Sequence, residues 1–170
     1  FVDLIRNTPL VVQTFWLFFG LAAIQIRVPA FYAAIVALTI NTSSYTCEIV
    51  RAGIDSIHKG QKEAAACLSL SKGQILRYIV LPQAVEKMYP ALISQFVLMM
   101  LATSIMSQIS AQELTAIGYQ IQSETFRGFE VYLVIAVIYL FLSWLLRVVM
   151  NLCHDLAFPR KKRMTRSNKK

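Results

Sequence analysis

The sequence is short of charge, and the charge it has leans one way. Of 170 residues, 15% are charged, with nine acidic side chains against 17 basic ones, while 56% are hydrophobic. Water-soluble chains run at about 25% charged and roughly 45–50% apolar. A domain of this size buries only about 70% of its unfolded surface by itself, so the apolar excess points to a bilayer rather than an oversized core. Histidine occurs twice, and the three cysteines, Cys47, Cys67 and Cys153, form no C-x-x-C pair. Disulfide and zinc frameworks therefore lack their pattern. Five prolines and six glycines exclude a collagen-like or low-complexity chain. Membrane-embedded catalysis would need paired carboxylates, a Ser/His or Cys/His set, or a metal cluster within a span, and none is present. Neither His58 nor His154 stands at metal-ligand spacing in the sequence, and both read as surface or boundary residues. Met99, Met100 and Met106 read as packing.

What is present is organised. Charge disappears over Asn7–Ile26, Val28–Cys47, Met88–Gln112 and Val131–Leu146. At about 1.5 Å per residue, with some extension at the ends, each can cross a hydrocarbon core of roughly 30 Å. The expected fold is an all-α integral membrane helical bundle. Its transmembrane domain covers residues 1–158, with four spans at about 9–26, 30–50, 90–110 and 131–153. The loop 51–89 joins the middle spans, and a basic tail occupies 159–170. Four spans put Arg6, the loop, and Arg147 with the tail on one side, which gathers 15 of the 17 basic residues and leaves Arg27 and Arg127 on the other. The positive-inside bias makes the rich side cytoplasmic, close to anionic lipid headgroups. Nucleic acid is not an expected partner, because no binding module accompanies the basic tail. The chain opens at Phe1 without Met, which reads as the start of a fragment.

The loop is too structured for a linker. Gln61–Leu68 is helix-prone. Ser71 and Gln74 fit a capping box that opens a second helix, which Pro82 is expected to disrupt. Two short helices with apolar faces need a partner or the membrane surface.

Glu63-Ala64-Ala65 followed by Ile79-x-Leu81-Pro82 resembles the EAA loop of ABC importer permeases. Ser69 falls at that pattern's glycine. Arg6-Asn7-Thr8-Pro9-Leu10-Val11-Val12-Gln13 resembles the RGTPLLVQ stretch of the polar amino acid branch, and Tyr45-x-x-Glu48-x-x-Arg51-Ala52-Gly53-Ile54 resembles another of its segments. Gly60-Gln61, Pro82-Gln83-Ala84 and Glu113-Leu114-Thr115 continue the likeness across roughly residues 4–150. The resemblance implies a five-span permease lacking its first helix here. It implies pairing with a second permease subunit, identical or homologous, and solute delivery by a periplasmic or lipid-anchored binding protein. It places Gly60, Glu63, Ala64, Ala65, Ser69, Ile79, Leu81 and Pro82 at a contact with cytoplasmic ATPase subunits. No GxxxxGK[ST] phosphate loop is present, so ATP and magnesium belong on those partners and this chain binds no cofactor. The aligned position of the family's L-K-D-[TS]-S run is Met100-Leu101-Ala102-Thr103-Ser104, without the charged pair. The loss of glycine at Ser69 reads as the loss of a hinge.

Polar residues inside spans supply a candidate solute path. Asn41, Ser44, Tyr45 and Glu48 share one helical face, and Gln95, Thr103 and Ser104 are candidates in the third span. Helix–helix contact accounts for the same stripe, an ion pair with Arg51 accounts for Glu48, and bonds to their own helix account for Thr103 and Ser104. Glu113, Glu124 and Glu130 read as a solvated outer loop. The alternative function is a membrane scaffold with an interaction loop and no transport.

Overall fold

Left-handed residues and prolines divide the chain. The computed structural model describes residues 1–157, and among them every regular element is helical. The expected tail 159–170 lies outside the described residues. Helix α1 (Val2–Arg6) leads to α2 (Leu10–Ala23), which starts after Pro9. It stops where Gln25 adopts φ 66, with Gln25 N–H donating to Ala22 O and Ile26 N–H to Leu21 O. That pair of bonds is the Schellman arrangement, which satisfies the last carbonyls and ends the helix. Held between these signals, α2 has 14 residues. At about 21 Å it is shorter than the span expected at 9–26.

Helix α3 (Ala30–Asp55) follows Pro29 and runs 26 residues. Its small residues Ala33, Ala34, Ala37, Ser44 and Gly53 are the buried ones, which lets neighbours approach closely. The expected loop then forms α4 (Lys59–Cys67) and α5 (Lys72–Gln74). Ser71 accepts from Gln74 N–H while Gln74 Oε1 accepts from Ser71 N–H at 2.8 Å, the expected capping box.

Pro82 does not break the helix that Ser71 opens. A π-helical stretch, Ile75–Val80, passes directly into α6 (Leu81–Ala102), with Pro82 in the first turn of α6. The chain is helical without interruption over Lys72–Ile109, 38 residues, so the third span begins inside the loop. Proline removes the N–H that would reach Tyr78 O, and the wider π turn just before it relieves the ring's clash with that carbonyl. Gln83 Nε2 donates to Ile79 O at 3.0 Å in the same turn.

Past Ala102 the helix tightens to a 3-10 stretch, Thr103–Ile109, and ends at Ser110 with φ 62. The segment read as a solvated loop contains α7 (Leu114–Thr125), before α8 (Gly128–Ala157) returns. Three stretches, Ala30–Asp55, Lys72–Ile109 and Gly128–Leu156, are long and apolar enough to cross a membrane, and α2 is a shorter apolar helix beside them.

Two buried clusters hold the bundle. Ala33, Ala34, Met106, Ile109 and Ala111 pack with Leu10, Leu17 and Phe18 at one end. Ile57, Val80, Ala84 and Met88 pack with Ile54 and Ile75 where the loop meets α3 and α6. Tyr89 Oη donates to Met150 O at 2.9 Å and ties α6 to α8. Most of α8 faces outward, with Leu133, Val137, Leu140 and Trp144 exposed as lipid contact requires.

Candidate functional site

A cleft of about 670 Å³ opens where the α1–α2 turn, α3 and α6 converge. Leu38, Asn41, Thr42 and Tyr45 line it from α3, and Gln95, Leu98, Met99 and Ala102 from α6. Both sets repeat at i, i+3, i+4 and i+7, so each helix presents one continuous stripe. Arg6, Asn7 and Thr8 close the third side from the turn.

Gln13 shapes that turn. Its Nε2 lies 2.7 Å from Ile5 O and 2.7 Å from Thr8 Oγ1, while its Oε1 accepts from Asn41 Nδ2 at 3.1 Å. One side chain thus fixes the turn and joins it to α3. Arg6 is fixed just as firmly. Its guanidinium lies 5.5 Å from the centre of the Tyr45 ring, Tyr45 Oη donates to Arg6 O at 3.4 Å, and Arg6 Nη1 stands 3.4 Å from Glu48 Oε2. The same Glu48 oxygen is 3.4 Å from Arg51 Nη1. Glu48 is therefore an ion-pair hub one turn beyond the cleft.

Of the sequence-predicted path residues, Asn41, Tyr45 and Gln95 come together on the cleft wall. Ser44 does not: it is 3% exposed and donates to Ile40 O at 3.0 Å. Thr103 and Ser104 also stand outside the lining and donate to Met100 O at 2.6 Å and Leu101 O at 2.7 Å. Tight 3-10 winding places each hydroxyl over the carbonyl three residues back. The sequence reading missed Thr42, Met99 and Ala102, which follow from helical spacing once Asn41 and Gln95 are taken as anchors. Arg6 ends the five-residue α1, and Asn7 and Thr8 form the turn after it, so none of the three carries a periodic signal.

The loop forms a second site at the basic end. His58 caps α4 by accepting from Gly60 N–H at 3.1 Å. Within the motif Glu63 and Ala64 are exposed, while Ala65 is 4% exposed and packs inward. Ser69 has φ 58, with Ser69 N–H bonded to Ala66 O and Leu70 N–H to Ala65 O. The position is a rigid left-handed stop for α4, not a loose hinge, and left-handed geometry is why glycine suits it. Ile79 is half-buried, whereas Leu81 and Pro82 reach the surface at the start of α6. Among the described residues no group of three or more His, Cys, Asp or Glu side chains is placed to hold a metal ion.

A helical membrane bundle with a polar cleft and a helix–turn–helix at its basic end is the architecture of a transporter's membrane component. The chain belongs to the family described as binding-protein-dependent transport system inner membrane component, matched over residues 1–163. It is 38% identical over 153 residues to the glutamine transport system permease protein GlnP of Escherichia coli (strain K12), covering 89% of this chain and 70% of that protein. It is 33% identical over 150 residues to the arginine transport system permease protein ArtQ of Bacillus subtilis (strain 168), covering 88% of this chain and 68% of that one. Among solved structures, the crystal structure of an amino acid ABC transporter with histidines superposes with a TM-score of 0.85 at 38% identity, over 91% of this chain and 72% of that chain. The MetNI methionine ABC transporter in an inward-facing conformation shares the fold, with a TM-score of 0.75 at 22% identity over 91% of this chain and 71% of its own. These relatives are permease subunits of amino acid ABC transporters, and the bundle is an integral membrane one.

Proposed function

We propose that this chain translocates polar amino acids or related small solutes across a bacterial inner (plasma) membrane as the permease subunit of an ATP-driven importer. The observation that carries the reading is the α4–Ser69–Ser71 helix–turn–helix, continuous through the π stretch with α6, a wall of the polar cleft. A push on α4 passes through the Ser69 turn into the helix that starts at Lys72 and runs unbroken to the cleft. ATPase subunits dock on the exposed face around Glu63 and Ala64, and ATP with magnesium is bound there, not by this chain. The permease itself hydrolyses nothing. The excess of basic residues on that side supports a cytoplasmic position for the loop and the end of α8. A solute-binding protein engages the opposite face. A second permease subunit, identical or homologous, completes the path along the clefts.

The test is ATP-driven solute uptake in proteoliposomes holding the full-length chain with its ATPase subunits and binding protein. Glu63→Lys should abolish ATPase co-purification and uptake together while the helical content stays. Full uptake in that variant removes the coupling role, and uptake or ATP hydrolysis without ATPase subunits removes the whole reading.

A further inference from the structure

We infer that the cleft holds its solute by a carboxylate and disfavours solutes with a cationic side chain. The inference names the solute class of the permease proposed above and rests on that reading. Among the described residues lining the cleft, Arg6 is the one charged side chain. Its nearest counter-ion is shared: Arg6 Nη1 and Arg51 Nη1 both lie 3.4 Å from the single oxygen Oε2 of Glu48. Two guanidiniums on one carboxylate leave a positive charge over. Arg6 Nε and Glu48 Oε2 are both buried without a hydrogen bond, so the contact between these two side chains is one of charge alone. A guanidinium on the cleft wall with charge to spare can receive a carboxylate, since its planar fork matches the two oxygens.

The rest of the polar lining is neutral. Asn41 turns its amide nitrogen to Gln13 Oε1, which leaves its carbonyl oxygen able to accept from an ammonium group. Gln95 and Thr42 offer further neutral partners. An α-amino acid with an amide, hydroxyl or carboxylate side chain can satisfy this set. One with a second cation brings that charge toward Arg6 with no carboxylate on the wall to meet it, and charges at such separations repel strongly away from bulk water.

Ala102 stands on the same wall, on α6, where a carboxylate would reverse the preference. The experiment is equilibrium binding of radiolabelled L-glutamine, L-glutamate and L-arginine to the purified permease–ATPase complex. The binding protein is left out so that its own selectivity does not enter. The expected result is binding of glutamine or glutamate, with arginine weaker by at least about tenfold, and a gain in arginine binding in Ala102→Asp. Arginine bound as tightly as glutamine by the unaltered complex, or no gain in a folded A102D, overturns the inference and leaves the permease reading standing. Should A102D fail to fold, the comparison of solutes on the unaltered complex decides. Binding of none of the three overturns the inference; if ATP hydrolysis stimulated by the solute-loaded binding protein is missing as well, the permease reading falls with it.

Discussion

Lys87 of α6 donates its ammonium to the carbonyl of Ser56, 3.0 Å away, where Ser56 is the residue that closes α3. A cation at a helix C-terminus meets both an unpaired carbonyl and the negative end of the helix dipole. The contact joins the two long helices that line the cleft at the end where the loop departs. Lys87→Met keeps the alkyl stem and deletes the charge. It should cost about 0.5–1 kcal/mol, given the exposure of the pair. Thermal unfolding of the detergent-solubilised complex at low and high salt checks this, and the loss should shrink as salt rises.

Ser69 carries a cost that glycine would not. A left-handed conformation is unfavourable by about 1–2 kcal/mol for a residue with a Cβ and close to neutral for glycine. With φ 58 and both Schellman bonds in place, Ser69→Gly removes that cost without altering a contact. The variant should be more stable by roughly 1 kcal/mol, less the extra freedom of glycine in the unfolded chain. Ser69→Val should be destabilised. Denaturant titration of the two variants side by side tests the sign, and a more stable valine variant would refute the assignment.

Glu113 shows how much of the packing of α7 depends on one side chain. Its carboxylate accepts from Thr115 N–H at 2.8 Å and Ala116 N–H at 2.6 Å, and Tyr139 Oη of α8 donates to it at 3.0 Å. It therefore caps α7 and fastens that helix to α8. Glu113→Ala should cost about 1–2 kcal/mol and Tyr139→Phe about 1 kcal/mol. Because the two groups touch, the double variant should lose less than the sum, and a double-mutant cycle reads the difference.

That helix was not legible beforehand, and the reason is physical. Leu114–Thr125 is short and mixed in polarity, and α7 draws its stability from contact with α8, where Gly118 lets Ile135 lie against the backbone. The charge-free run ending at Leu146 and the capping box at Ser71 were legible because hydropathy and side-chain caps act locally. Pro82 misled for the opposite reason: a proline breaks a regular helix, but not one that widens to π just ahead of it. The cleft was half legible. Asn41, Tyr45 and Gln95 carry the helical period, whereas Arg6 reaches the site only because Gln13 folds its turn against α3.

Gly53 on α3 sits against Met88 and Ala84 of α6. A Cβ built there would stand 3.1 Å from Met88 Cβ and 3.4 Å from Ala84 O. Met88 Cβ and Ala84 O are both fixed to the α6 backbone and only Met88 Sδ can swing away, so alanine already presses on α6 and leucine would press harder. Gly53→Leu should destabilise by about 1–3 kcal/mol through overpacking, and Met88→Ala, which removes Sδ but keeps Cβ, should recover only the part due to the outer atoms of Met88. Unfolding measurements on the single and paired variants check it, and a Gly53→Leu variant as stable as the unaltered chain would refute the close packing of α3 on α6.

The face offered by the loop is more apolar than its charge implies. Leu68 is 77% exposed, Tyr78 63% and Leu76 46%, all at the basic end of the bundle. Lipid does not account for this surface alone, because α4 and α5 carry the exposed polar residues Glu63, Lys72 and Gln74 beside it. An apolar centre with a charged rim is the pattern of a protein contact, in which a few large side chains dominate binding. Leu68→Ser with Tyr78→Ser removes apolar groups that the isolated chain leaves in solvent, so its own unfolding midpoint should scarcely move. Association with the ATPase subunits should weaken by about 2 kcal/mol or more, on the order of 30-fold. Co-purification and surface-plasmon binding of the subunits to the reconstituted permease measure this. Unchanged binding, with the midpoint also unchanged, would assign that apolar face to the membrane surface instead.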